Sequence, residues 1–155
     1  MEQIKLKVSL FEEKFNTSNE DNVPMVSDRE ISVGCYGVSY HNIDEFYHQM
    51  KCVQQYFETN TNQEVIHLIV EYGDLVKDDK TACACSESCA EYFIKDYQVY
   101  YCTHQSIGSD KYHTHLLVNP VSYKDGKIFD VDVKKENFWN ISIISWLCRK
   151  FNFKI

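Results

Sequence analysis

The sequence contains no apolar run of about 18 residues, the length at which a transmembrane helix becomes plausible. It opens Met1-Glu2-Gln3-Ile4-Lys5, without the apolar core of a signal peptide. Both absences lead us to expect an intracellular, cytoplasmic protein with no membrane insertion. No second cysteine pair completes Cys83-x-Cys85-x-x-x-Cys89 at zinc-site spacing, so structural zinc is not expected there. The seven cysteines are odd in number and irregularly spaced, and are expected as free thiols in a reducing compartment. Basic excess is also missing. The net charge is −7, which on composition alone weighs against a nucleic-acid partner. No internal repeat and no linker composition is visible.

What is present suffices for one domain. The chain has 155 residues, 44% hydrophobic and 14% aromatic, and its 11 tyrosines give the core a polar edge. The charge is uneven. From Lys124 onward seven basic residues face four acidic ones, leaving +3, while residues 1–123 carry −10. That tail reads either as a phosphate-tracking face or as a solvated surface.

Residues 1–30 are expected to form an N-terminal strand and a flexible segment, and residues 31–155 a single domain. Ile4, Leu6 and Val8 alternate with Lys5 and Lys7 as an edge strand would, and Ser9 to Ser27 is polar enough to read as a mobile loop. Ile31 to Tyr40 has strand composition, with Gly34 and Gly37 marking a bulge or a close approach. Asn42 is an N-cap candidate with Glu45 three residues on. Ile43, Phe46, Tyr47, Met50, Val53 and Phe57 then recur at helical spacing to about Glu58, and His48 falls on the outside. Val65 to Val70 is apolar almost throughout, as a central strand buried on both faces would be. His67 in its middle is either a satisfied core histidine or a group aimed at a site. Thr81 to Ile94 reads as a helix, Ile128 to Val133 as a late strand after an Asp125-Gly126 turn, and Asn137 to Phe151 as a closing helix. The fold class is α+β, a central mainly antiparallel sheet flanked by helices.

The chemistry concentrates between Thr103 and Asn119. His113 and His115 are two residues apart, so a strand places them on one face. His104 closes the strand-like run Tyr97 to Cys102, and Gly108, Ser109 and Asp110 supply a turn between the two runs. A hairpin here brings three imidazoles together. Either they form an open metal site, or they are ordinary polar residues of a half-exposed strand.

Thr103-His104, His113-Thr114-His115 and Asn119-Pro120-Val121-Ser122-Tyr123-Lys124-Asp125-Gly126-Lys127 together resemble the three-histidine (HUH-type) motif of the relaxase/mobilisation nuclease family. The helix around Glu45 to Tyr56, His67 in the next strand and Trp146-Leu147-Cys148-Arg149-Lys150-Phe151 are similar to the family's flanking elements, so the likeness spans roughly 31–155. The resemblance implies a relaxase-like sandwich. It also implies a divalent metal (Mn, Mg or Zn) on His104, His113 and His115, with His67 and Asn119 behind them. The partner implied is single-stranded or origin-of-transfer DNA, nicked and transferred during plasmid or conjugative-element mobilisation, with other transfer-complex proteins nearby. Lys124, Lys127, Lys134, Lys135 and Arg149 are the basic candidates for DNA contact. The sequence departs from the pattern in three ways. The spacer from His104 to His113 is about one residue longer than usual. The sequence stops soon after the last expected helix, where relaxases usually continue into longer DNA-binding and partner regions, so a truncated relaxase domain is expected. Leu10 to Asn16, which matches the short helix that carries the family's nucleophile, has phenylalanine and no tyrosine. Tyr36 and Tyr40 are the nearest substitutes. A catalytically inactive, relaxase-derived DNA-binding or transfer-complex accessory protein is the alternative.

Overall fold

The structure is a computed structural model that describes residues 7–13, 28–59, 61, 64–128 and 136–154, with side chains described outside 7–13 and 136–141. The elements run β1 (Lys7–Glu13), β2 (Arg29–Tyr36), α1 (Ile43–Tyr56), β3 (Val65–Glu71), α2 (Asp79–Glu91), β4 (Val99–Gln105), β5 (Tyr112–Val118) and α3 (Glu136–Phe151). The strands form one five-stranded sheet in the order β1-β3-β5-β4-β2, and every pairing is antiparallel. The expected fold class is the one observed. No helix among the described residues is long and apolar enough to cross a membrane.

The N-terminal strand differs from expectation. Ser9 to Glu13, which read as loop, continue β1 against β3, with Phe11 opposite His67. Polar side chains are tolerated on a strand at the rim of a sheet, and this hides it from a composition reading. The Leu10 to Glu13 part of the nucleophile-matching segment is therefore strand, and Asn16 lies outside the described residues. The late strand at Ile128 reduces to a single bridge, Val121 to Ile128, and residues 129–133 lie outside the described residues.

Strand alternation divides the sheet into two faces. Ile66, Leu68, Val70, Val99, Tyr101, Leu116 and Val118 point to one face and pack under α2 and α3 against Cys85, Cys89, Phe93, Ile143 and Leu147. Val65, Tyr100, Cys102 and Leu117 point to the other and pack under Phe46, Tyr47 and Met50 of α1. Central strand β3 is apolar on both faces for this reason. Gly34 of β2 lies where a Cβ would sit 2.4 Å from the Tyr101 hydroxyl, so what approaches it is a tyrosine ring and neither another backbone nor a ligand.

Local signals set the helix starts. The Asn42 side chain accepts from Glu45 N at 2.9 Å and caps α1; Asp78 accepts from Thr81 N at 2.8 Å and caps α2. Asn119, fully buried just past β5, fastens α1 to the sheet. Its Nδ2 donates to Met50 O (3.0 Å) and Gln98 Oε1 (2.7 Å), and its Oδ1 accepts from Gln54 Nε2 (3.0 Å) and Val121 N (3.1 Å). Replacing it strands several buried partners. Asn119→Ala is expected to cost about 2–4 kcal/mol, a drop in melting temperature of roughly 5–15 °C by calorimetry. A drop under about 1 °C would show that the clamp does not hold the helix.

Candidate metal centre

Helix α1 covers only one end of its face. On β4 the side chains Tyr100, Cys102 and His104 share that face, and on β5 His113, His115 and Leu117 do. The apolar members at one end lie under α1. The histidines occupy the other end, beside the β4–β5 turn. Register puts His104 opposite His113 and Cys102 opposite His115.

The three rings converge. Their centroids are 5.0–5.4 Å apart, and one ligand nitrogen from each lies within 4.8 Å of the others. His104 is 1% exposed. Neighbours engage one ring nitrogen of each: Cys102 Sγ lies 3.0 Å from His104 Nε2, Ser106 Oγ 3.3 Å from His113 Nδ1, and His67 Nε2 3.0 Å from His115 Nδ1. Asp28 Oδ2 lies 3.6 Å from His113 Nε2. The buried Nδ1 of His104 has no hydrogen-bond partner among the described residues. A buried polar atom left in this way needs an explanation, and a bound cation would supply one.

The longer spacer does not separate the two strands. Ser106 N donates to Lys111 O (2.8 Å), Gly108 takes a φ of +94° and Asp110 a φ of +56°. Asp28 accepts from Ile107 N (3.4 Å), and Arg29 Nε donates to Gln105 Oε1 (2.9 Å) while its guanidinium pairs with Asp79 at 2.7 Å. The turn beside the histidines is thus tied to β2 and to the start of α2.

Electrostatics keep the imidazoles neutral. Burial pushes His115 down to about 3, helped by repulsion from His67, His113 and His104. Burial also lowers His113, with His104 adding to it, and lowers His104 against the opposing pull of Asp28 and Glu30. Neutral imidazole is the form that binds metal. Three such ligands at the open end of a face leave coordination positions for other groups. The residues therefore fit a divalent metal.

Other sequence candidates are distributed differently. His67 contacts His115 directly. Asn119 lies at the opposite end of the sheet, with α1. Tyr36 pairs with Val99 while Glu30 pairs with His104, a separation of roughly 20 Å along β2. Its ring stacks on Tyr101 (6.3 Å), on the α2 face. Tyr40 packs on Tyr100 (5.1 Å) and Phe46 (5.6 Å) under the α1 end. Neither tyrosine is brought to the histidines. Lys124 pairs with Asp96 (3.4 Å) and Lys127 lies 3.8 Å from Asp125, in a turn beyond β5 and away from the histidine end. Arg149 is in the last turn of α3, across the sheet, and Lys134 and Lys135 lie outside the described residues. Cys102 and Ser106 were not marked by any sequence motif; only the i−2 position of Cys102 relative to His104 carried a signal. Cys83, Cys85 and Cys89 are free thiols on α2.

Fold and site together are those of a three-histidine, relaxase-type nuclease domain. A family model, relaxase of the MobA/VirD2-like nuclease-domain type, matches residues 18–153, and the chain belongs to that family. No curated protein and no solved structure matches it.

The lowered histidine values fix the direction of a pH effect. Between the ordinary value of 6.5 and the folded values the unfolded chain binds more protons, so acidification favours unfolding. Metal-free protein is expected to keep its full stability above about pH 6.5 and to lose it progressively toward pH 3. His115→Asn should flatten that loss in urea titrations; an unchanged pH slope would show that His115 is not held neutral by the fold.

Proposed function

We propose that this domain nicks and transfers a DNA strand at an origin of transfer, using a divalent metal held by His104, His113 and His115. The observation that carries the reading is the convergence of three imidazoles, one with a buried nitrogen that has no partner among the described residues, in a chain of the relaxase family. When bound, the metal polarises a phosphate oxygen and offsets negative charge as the phosphodiester is attacked. The protein's share is positional. The β4–β5 hairpin fixes the ligands, and His67 orients His115. Imidazole-only ligation favours Zn or Mn over Mg. Lys124, Lys127, Lys134, Lys135 and Arg149 contribute phosphate contacts.

The placement of Tyr36 and Tyr40 favours a second reading: a domain that binds DNA within a transfer complex without cutting it. A supercoiled origin-containing plasmid separates the two. The first reading expects metal-dependent relaxation and a covalent protein–DNA adduct on a denaturing gel; retention of DNA without nicking under Mn²⁺, Mg²⁺ and Zn²⁺ supports the second.

Two further outcomes are expected. His113→Ala should weaken metal binding by at least about 100-fold in calorimetric titration, whereas His48→Ala, on the exposed side of α1, should leave it unchanged. Equal effects would remove the metal from this hairpin. Affinity for single-stranded DNA should fall steeply with salt, and neutralising Lys134, Lys135 and Arg149 together should reduce the log–log slope by about two. A slope that stays put takes these residues out of the interface.

A further inference from the structure

His104 is the most deeply buried of the three histidines, and its partner is unusual. Histidines that bind metal commonly give their second ring nitrogen to a carboxylate, a backbone carbonyl or water. His104 Nε2 instead meets Cys102 Sγ at 3.0 Å, inside the protein, where Cys102 is 2% exposed. The same sulfur lies 3.8 Å from Glu30 Oε1, with the thiol as donor. Glu30 stands on β2 opposite His104, so the three residues cluster across two adjacent strands. A carboxylate only accepts, so a thiol that donates to Glu30 leaves its sulfur lone pairs free to accept from His104 Nε2–H. With Nε2 committed, Nδ1 is the nitrogen left for a metal, and it is the buried atom with no partner among the described residues.

We propose that Cys102, backed by Glu30, is a positioning residue that holds His104 in the Nε2–H tautomer and presents Nδ1 to the metal. The thiol stands between carboxylate and imidazole in a relay that would ordinarily contain the carboxylate alone. No chemical step is assigned to it. His115 is handled in the opposite sense: its Nδ1 lies 3.0 Å from His67 Nε2, which would leave Nε2 as its nitrogen for a metal. The inference rests on the metal reading above and deepens it.

The test uses the full chain and Co²⁺ as the probe. In the metal-free parent, side-chain ¹H–¹⁵N correlation spectra should show His104 as the Nε2–H tautomer. Cys102→Ala should mix the tautomers and weaken Co²⁺ binding by about 10–100-fold. Cys102→Ser, which keeps a donor and an acceptor, should bind close to the parent. Cys89→Ala, an equally buried thiol on the other face, should leave affinity unchanged. Three results would overturn the proposal: an Nδ1–H tautomer in the parent, parental affinity in Cys102→Ala, or a sulfur-to-cobalt charge-transfer band placing the thiol on the metal itself. The tautomer is read in the parent, so the test survives a variant that does not fold. A parent that binds no Co²⁺, Mn²⁺ or Zn²⁺ at all would instead fail the metal reading, and this inference with it.

Discussion

The site depends on the register of one strand pair. Thr103 and Thr114 face each other across β4 and β5, their hydroxyls 2.8 Å apart, and Tyr72 OH adds a 2.6 Å contact to Thr114. All three are fully buried on the α2 face. Buried hydroxyls are costly unless paired, so this cluster resists any slip of the hairpin. A slip of one residue would turn His113 and His115 to the other face. Polar pairing on one side of the sheet therefore aligns the imidazoles on the other.

The histidine end of the α1 face answers to a different rule. At the α1 end, apolar side chains and a helix exclude water, and Asn119 satisfies the polar groups that the junction buries. At the other end the buried groups are polar and incompletely satisfied. Among the described residues the one buried side-chain nitrogen or oxygen without a partner is His104 Nδ1. Neighbouring imidazoles also depress one another's proton affinity. A fold that loses stability where a ligand would restore it has placed that cost at its site.

The legible parts of the chain were those where one residue type fixes geometry within a few positions. The H-x-H spacing decided the face shared by His113 and His115, and Gly108 and Asp110 supplied the turn that brings in His104. Asn42 announced α1, and the nearly continuous apolar run of β3 announced a strand covered on both sides. What stayed hidden depends on contacts distant in sequence. Cys102 gains its role from Glu30, 72 residues away, and Ser106 from the curl of the turn back to His113. The polar residues of β1 look like loop because an edge strand need not be apolar. Closeness to the N-terminus points to Tyr36 and Tyr40, whereas strand direction and packing decide where their side chains lie.

Charge at the open end bears on how phosphate could enter. Asp28, Glu30 and Glu71 all lie near the triad, and they act to raise the proton affinity of the histidines they face. The histidines themselves are neutral, so the local charge is negative without a cation. A phosphodiester arriving there would meet like charge at short range, where screening by salt is least effective. A divalent cation on the imidazoles would offset two of those three charges and set a positive centre where the phosphate arrives. The same carboxylates that repel a phosphate attract the cation first. On the function proposed here, the acidic rim would favour cation before DNA. Lys124, Lys127 and Arg149 lie on other parts of the molecule, so they would hold flanking backbone while the cation admits the scissile phosphate.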